Sequence, residues 1–121
     1  MNSELVGSYD WVKGGSMEKY TQDLTLNANG TASYKEFNET RSERWERTGH
    51  GKWKVENDVV WVILDELKKE TKALKPQIPA IPGFHEDVKI DKNIAIDIPV
   101  DKLKSAPASG PSAPKNRWRR V

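Results

Sequence analysis

Three groups of residues in this chain are of types that could do chemistry. The first is a set of aromatics, Tyr9, Trp11, Tyr20, Tyr34, Trp53 and Trp61, which together could line a pocket for a small apolar ligand. Tyr and Trp combine a large apolar ring with a polar tip that needs a partner, so they either fill a core or rim a binding site. In a thin domain, filling the core is the expected use. The second group is the C-terminal run "KNRWRR", where Lys115, Arg117, Arg119 and Arg120 surround Trp118. Four cations could neutralise about four phosphates, a salt slope of about −3.6 on duplex nucleic acid, and the indole could stack on a base. The same residues could meet an acidic groove on a larger protein, or an anionic lipid surface. A tail with four charges binds nucleic acid only weakly by itself, so a larger protein partner is the expectation. The third group is Ile94, Ile96 and Ile98 in "IAIDIPV", whose alternating side chains could fill pockets if this run added to a partner's sheet.

Catalytic chemistry finds little support. The two histidines, His50 and His85, stand far apart, and neither has Asp or Glu at a metal-ligand spacing. "GHG" reads as a glycine-rich turn around His50. No cysteine is present, which excludes disulfides, thiolate metal sites and a cysteine nucleophile. Phosphate-loop, dinucleotide and nucleophile-elbow motifs are missing. Carboxylates on "ERWER" and "DELKKE" alternate with bases, as on a solvated surface. The expectation is a protein that is not an enzyme, with no cofactor and no metal. An enzyme using surface carboxylates with His50 is the distant alternative.

These residues sit in a chain of 121 residues with 36% hydrophobic and 31% charged content, enough for one domain with appendages. Domains this short bury only about 60–68% of their unfolded surface. The net charge of +2 conceals a gradient, from −3 over residues 1–70 through +1 over 71–104 to +4 over 105–121. The start of the chain has no secretory pattern, and the longest apolar run, "VVWVIL", is too short for a membrane span. An intracellular location is expected.

The elements follow from periodicity. "LVGSYDWVK" alternates Leu5, Gly7, Tyr9 and Trp11 on one face, and "EKYTQDLTLNA" sets Tyr20, Leu24 and Leu26 on one face. Asn29-Gly30 predicts a type I′ turn into "TASYKEF". "ETRSERWERT" predicts a charged edge strand or exposed hairpin arm, with a helix as the competing reading. "KWKV", a turn at "END" and "VVWVIL" complete the meander, the last as a central strand. "DELKKETKALK" has near-helical spacing of Leu64, Leu67, Thr71 and Leu74 and predicts a short helix. "PQIPAIPG" at 76–83 predicts extended polyproline-like chain. "VKIDKNIAIDIPV" predicts a second hairpin turning near 91–93, with Pro99 confining its last strand to an edge. Residues 105–121 are Ser/Ala/Pro-rich and then basic, and predict a disordered tail.

Three of these segments resemble the small bacterial lipocalin-like domains. "LVGSYDWV" is similar to their opening Gly-x-Trp/Tyr strand through Gly7, Tyr9 and Trp11, and "LTLNANGTASY" to their central hairpin. "GKWKVENDVVWV" is similar to their late Gly-x-Trp-x-Val strand through Gly51, Trp53 and Val55. The resemblance covers residues 5–64 and implies a small antiparallel barrel that could carry an apolar ligand.

The expectation is therefore a mainly β protein with a lipocalin-like meander or barrel at 4–66. A helix, a Pro-rich segment and a hairpin arm follow at 67–104, and a flexible basic tail at 105–121. Its expected function is non-enzymatic recognition, with the C-terminal arm and tail contacting a larger partner. Carriage of a small apolar ligand is the alternative.

Overall fold

The computed structural model describes residues 3–15, 17–73 and 87–121. Its strands are β1 (Gly7–Val12), β2 (Lys19–Leu26), β3 (Thr31–Glu39), β4 (Glu43–Glu56), β5 (Val59–Ala73), β6 (Asp87–Pro99) and β7 (Trp118–Arg120). All seven form one antiparallel sheet in the order β6-β5-β4-β3-β2-β1-β7. The protein is thus mainly β, a meander whose two edge strands do not pair. One short helix, α1 (Val100–Lys104), follows β6, and a 3₁₀ turn (Ser3–Leu5) precedes β1.

Residues directly opposite in neighbouring strands share a face, so the register separates an inner face from an outer one. Tyr9, Leu24, Tyr34, Gly49 and Leu67 form one inner row, and Gly7, Leu26, Ala32, Gly51, Leu64 and Ile94 form the next. Val60, Val62 and Ile98 extend this core, and Leu5, Val100 and Leu103 close it from the two short helical segments. The core is mostly aliphatic; of the six aromatics expected to hold it, only Tyr9 and Tyr34 are buried.

Two turns set the hairpins. Asn57 and Asp58 both have positive φ, at 54° and 61°, and join Glu56 to Val59 as a two-residue turn of the I′ kind. The Asn29-Gly30 turn differs from its expected form, because only Gly30 is left-handed, with φ 87°. Gly30 donates its N–H to the Asn27 carbonyl at 3.0 Å and Asn27 donates to the Thr31 carbonyl at 2.9 Å. The loop has three residues and ends in a left-handed glycine.

His50 lies in strand β4, not in a glycine-rich turn. The two glycines beside it serve a close approach of β5. The register shifts between His50 and Gly51, leaving Asp65 as an extra residue of β5. A Cβ on Gly51 would collide with the Ile63 carbonyl, and one on Gly49 with the Glu66 carbonyl.

Several expectations are corrected beyond residue 64. The helix expected over "DELKKETKALK" is instead strand, for β5 runs on to Ala73, paired with β4 to its end and with β6 as far as Thr71. Pairing with a neighbour on each side outweighs a weak helical preference. "ERWERT" is strand as expected, but an interior strand, between β3 and β5. The hairpin expected near 91–93 is a single continuous strand in which Asn93 has φ 55°. The sheet therefore does not end at 66. The C-terminal segment is built into the fold too, since β7 pairs with β1 and Ala108 bridges to Arg120. The polyproline-like stretch 76–83 lies outside the described residues.

Candidate functional site, an aromatic stripe with a basic groove

Pairing of β7 with β1 sets Trp118 directly opposite Trp11. Alternation on β1 and β2 then brings Trp11 edge-on to Tyr20, with ring centroids 5.8 Å apart. Tyr20 in turn meets Trp45 of β4 at 6.3 Å, again edge-on. Edge-to-face geometry at such distances is the favourable one for aromatic pairs. The four rings make a half-buried stripe across the inner face, beyond the aliphatic core.

Cations stand at both ends. Lys69 Nζ lies 4.8 Å from the Trp45 ring centroid and the Arg47 guanidinium 5.6 Å from it, within reach for cation–π attraction. At the other end a groove of about 540 Å³ is lined by Trp11, Lys102, Lys115, Asn116, Arg117 and Trp118. Three of these six are cations and none is a carboxylate. Lys102, Lys115 and Arg117 are exposed. Asn116 is left-handed, with φ 62°, and is fixed by its N–H donating to the Val12 carbonyl at 2.7 Å while its side-chain oxygen accepts from the Gly14 N–H at 2.9 Å. The groove wall is therefore anchored to β1.

A buried carboxylate underpins the middle of the stripe. Glu36 is 4% exposed, accepts from Arg47 Nε at 2.7 Å, and accepts from the Tyr20 hydroxyl. Tyr34 donates to Gln22 Oε1 at 2.9 Å. Burial, and next the hydrogen bond to Glu36, push the Tyr20 hydroxyl well above its ordinary range. Burial and the Glu36 charge do the same to Tyr34. Both phenols therefore stay protonated and remain donors. No buried side-chain polar atom among the described residues lacks a partner.

The aromatics singled out in the sequence do not line one pocket. Trp11 and Tyr20 join the stripe. Tyr9 is core, donating its hydroxyl to the Leu5 carbonyl at 2.8 Å, and Tyr34 is buried in the same row, with Leu24 between them. Trp53 packs on the far side of the core and donates to the Asn27 carbonyl at 2.9 Å. Trp61 faces the outer surface, opposite Lys54 and Asp97.

The basic residues of the tail divide. Lys115, Arg117 and Trp118 line the groove, whereas Arg119 and Arg120 serve the fold. Arg119 is 6% exposed and binds Asp10 through two donors, at 2.8 and 3.1 Å. Burial raises the Asp10 carboxyl, but the Arg119 and Ser109 hydrogen bonds together hold it below its ordinary value. Arg120 donates to the carbonyls of Glu4 and Val6 and to the Tyr9 hydroxyl. Ile94 and Ile96 pack against the core, and Ile98 is buried in it.

Sequence reasoning missed Trp45, Arg47, Glu36, Lys69 and Lys102. Alternation of Trp45 and Arg47 within "ERWERT" was the available signal, since it puts both on one face of a strand. On the outer face, Ser33, His50 and Glu66 stand in one cross-strand row. His50 is exposed there. His85 lies outside them. Among the described residues no group of three or more His, Asp or Glu could hold a metal ion, and no helix is long and apolar enough to cross a membrane.

Comparison with protein-family models, with curated proteins and with solved structures finds no match to this chain.

Proposed function

We propose that this protein is a non-enzymatic recognition module that binds an acidic segment of a larger protein in the Trp11–Trp118 groove. The observation that carries the reading is the groove's composition, two half-buried indoles beside three exposed cations with no carboxylate among them. Trp and Arg are the residue types that most often dominate binding energy at protein interfaces. A carboxylate entering the groove meets charge complementarity at Lys102, Lys115 and Arg117, while its neighbours cover the rings. Nucleic acid is the weaker occupant. With Arg119 and Arg120 engaged inside the chain, three groove cations would give a salt slope of only about −2.7.

The likeness to lipocalin-like domains belongs to the same proposal, as a meander adapted to recognition at one edge. Carriage of an apolar ligand inside a cup is disfavoured by an inner face on which the side chains of β1–β3, β5 and β6 bury one another.

The test is affinity isolation from the protein's own source with nuclease-treated extract. Lys115→Glu with Arg117→Glu reverses two exposed groove charges, and Lys35→Glu with Lys52→Glu does the same on the outer face. Loss of an acidic protein partner from the groove variant alone is expected. Retention of every bound protein by the groove variant, or its loss on nuclease treatment, would refute the reading.

A further inference from the structure

The two edges of the sheet are finished differently. On one side β7 is three residues long, and the segment before it bridges to Arg120. On the other side β6 runs for thirteen residues and has no strand partner on its outer edge among the described residues. A long unpaired edge presents a row of backbone donors and acceptors, the usual template for pairing with another chain. Beside that edge Val88 and Ile90 are each 52% exposed. They alternate on the outer face, opposite Glu70 and Lys68 of β5, so neither belongs to the core.

We infer that β6 pairs with β6 of a second copy of this chain, in antiparallel register about a two-fold axis through Ile90. Symmetry and the start of β6 at Asp87 limit the choice of register, since an axis through Val88 would pair only residues 87–89. A two-fold axis perpendicular to the sheet keeps each residue on its own face, so it must pass through a residue pair and not between residues. An axis through Lys89 sets Lys89 against itself. Axes through Asp91 and Lys92 do the same with their charges. An axis through Ile90 opposes Ile90 to its own copy on the outer face. On the inner face it sets Lys89 of each chain against Asp91 of the other, giving two equivalent ion pairs. Val88 then lies along the aliphatic stem of Lys92 of the second copy. Directly opposed opposite charges and apolar pairs are the contacts that stabilise strand pairing, and such an interface is self-complementary in the way two-fold dimers require. Asn93, left-handed with φ 55°, breaks the alternation after this stretch, leaving Lys92 on the outer face and Ile94 on the inner one, and so limits regular pairing to 88–92. The groove proposed above lies at the opposite edge, so either inference can fail without the other.

Sedimentation velocity over a range of concentrations tests this on the full chain. The expected species has twice the 13.8 kDa chain mass. Ile90→Lys, which opposes two like charges at the axis, should convert it to monomer, with circular dichroism unchanged. Lys89→Asp alone should also dissociate it, and Lys89→Asp combined with Asp91→Lys should restore the dimer. A wild-type monomer at all concentrations would overturn the inference. So would a dimer indifferent to Ile90→Lys, or failure of the charge swap to restore pairing.

Discussion

Glu36 is the residue on which the order of the stripe depends. Its buried carboxylate is the acceptor for both Tyr20 and Arg47, and these two hold Trp11 and Trp45 on either side. Glu36→Ala strands a phenol and a guanidinium, and should lower stability by about 1–3 kcal/mol, read as a lower thermal midpoint. Glu36→Gln, which keeps an acceptor, should lie between that and wild type. On the outer face Asp10 and Asp23 are direct cross-strand neighbours. Partial desolvation, and then the Asp10 charge, raise the Asp23 carboxyl, with Lys35 opposing. A carboxyl whose pKa rises on folding is destabilising once ionised. Asp23→Asn should therefore melt higher than wild type at pH 7. The difference should close as the pH falls below the ordinary Asp value, about 3.9.

At the scale of elements, the C-terminal strand is where sequence and structure part. A short basic run after a Ser/Ala/Pro-rich stretch has nothing local to order it. What orders it is distant: Asp10 for Arg119, the Glu4 and Val6 carbonyls for Arg120, and the free edge of β1. Contacts across more than a hundred residues leave no periodicity to read. Deleting residues 105–121 exposes the β1 edge and leaves a partly buried Asp10 without its cation. Breaking such a pair costs about 3–5 kcal/mol, so the truncated chain should show a clearly lower thermal midpoint. An unchanged melt would mean that β7 contributes nothing to the sheet. The same reasoning explains β5. Its first half was legible because "VVWVIL" is apolar, but "DELKKETKA" has a single large apolar residue, Leu67, and becomes strand because β4 and β6 flank it. The first three strands, by contrast, were legible from alternation, down to the shared face of Tyr20, Leu24 and Leu26, although Leu5, expected in the first, belongs to the 3₁₀ turn before it.

For the whole molecule, fold class was legible and site was not. The aromatics could be recognised as important, but a period of two cannot say which strands will be neighbours. It therefore could not join Trp118 to Trp11, or separate Trp61 on the outer face from Trp45 on the inner one. The two groups picked out independently, rings for a ligand and a basic tail for a partner, meet in one groove because β7 returns to β1. Whether that meeting is the working surface can be asked directly. A photoreactive amino acid in place of Arg117, at the groove rim, and another in place of Lys52, on the outer face, would each be activated in the protein's native source. The account predicts a discrete adduct from position 117, to a protein whose crosslinked peptide is acidic, and none from position 52. Equal adducts from both positions, or none from position 117, would contradict it.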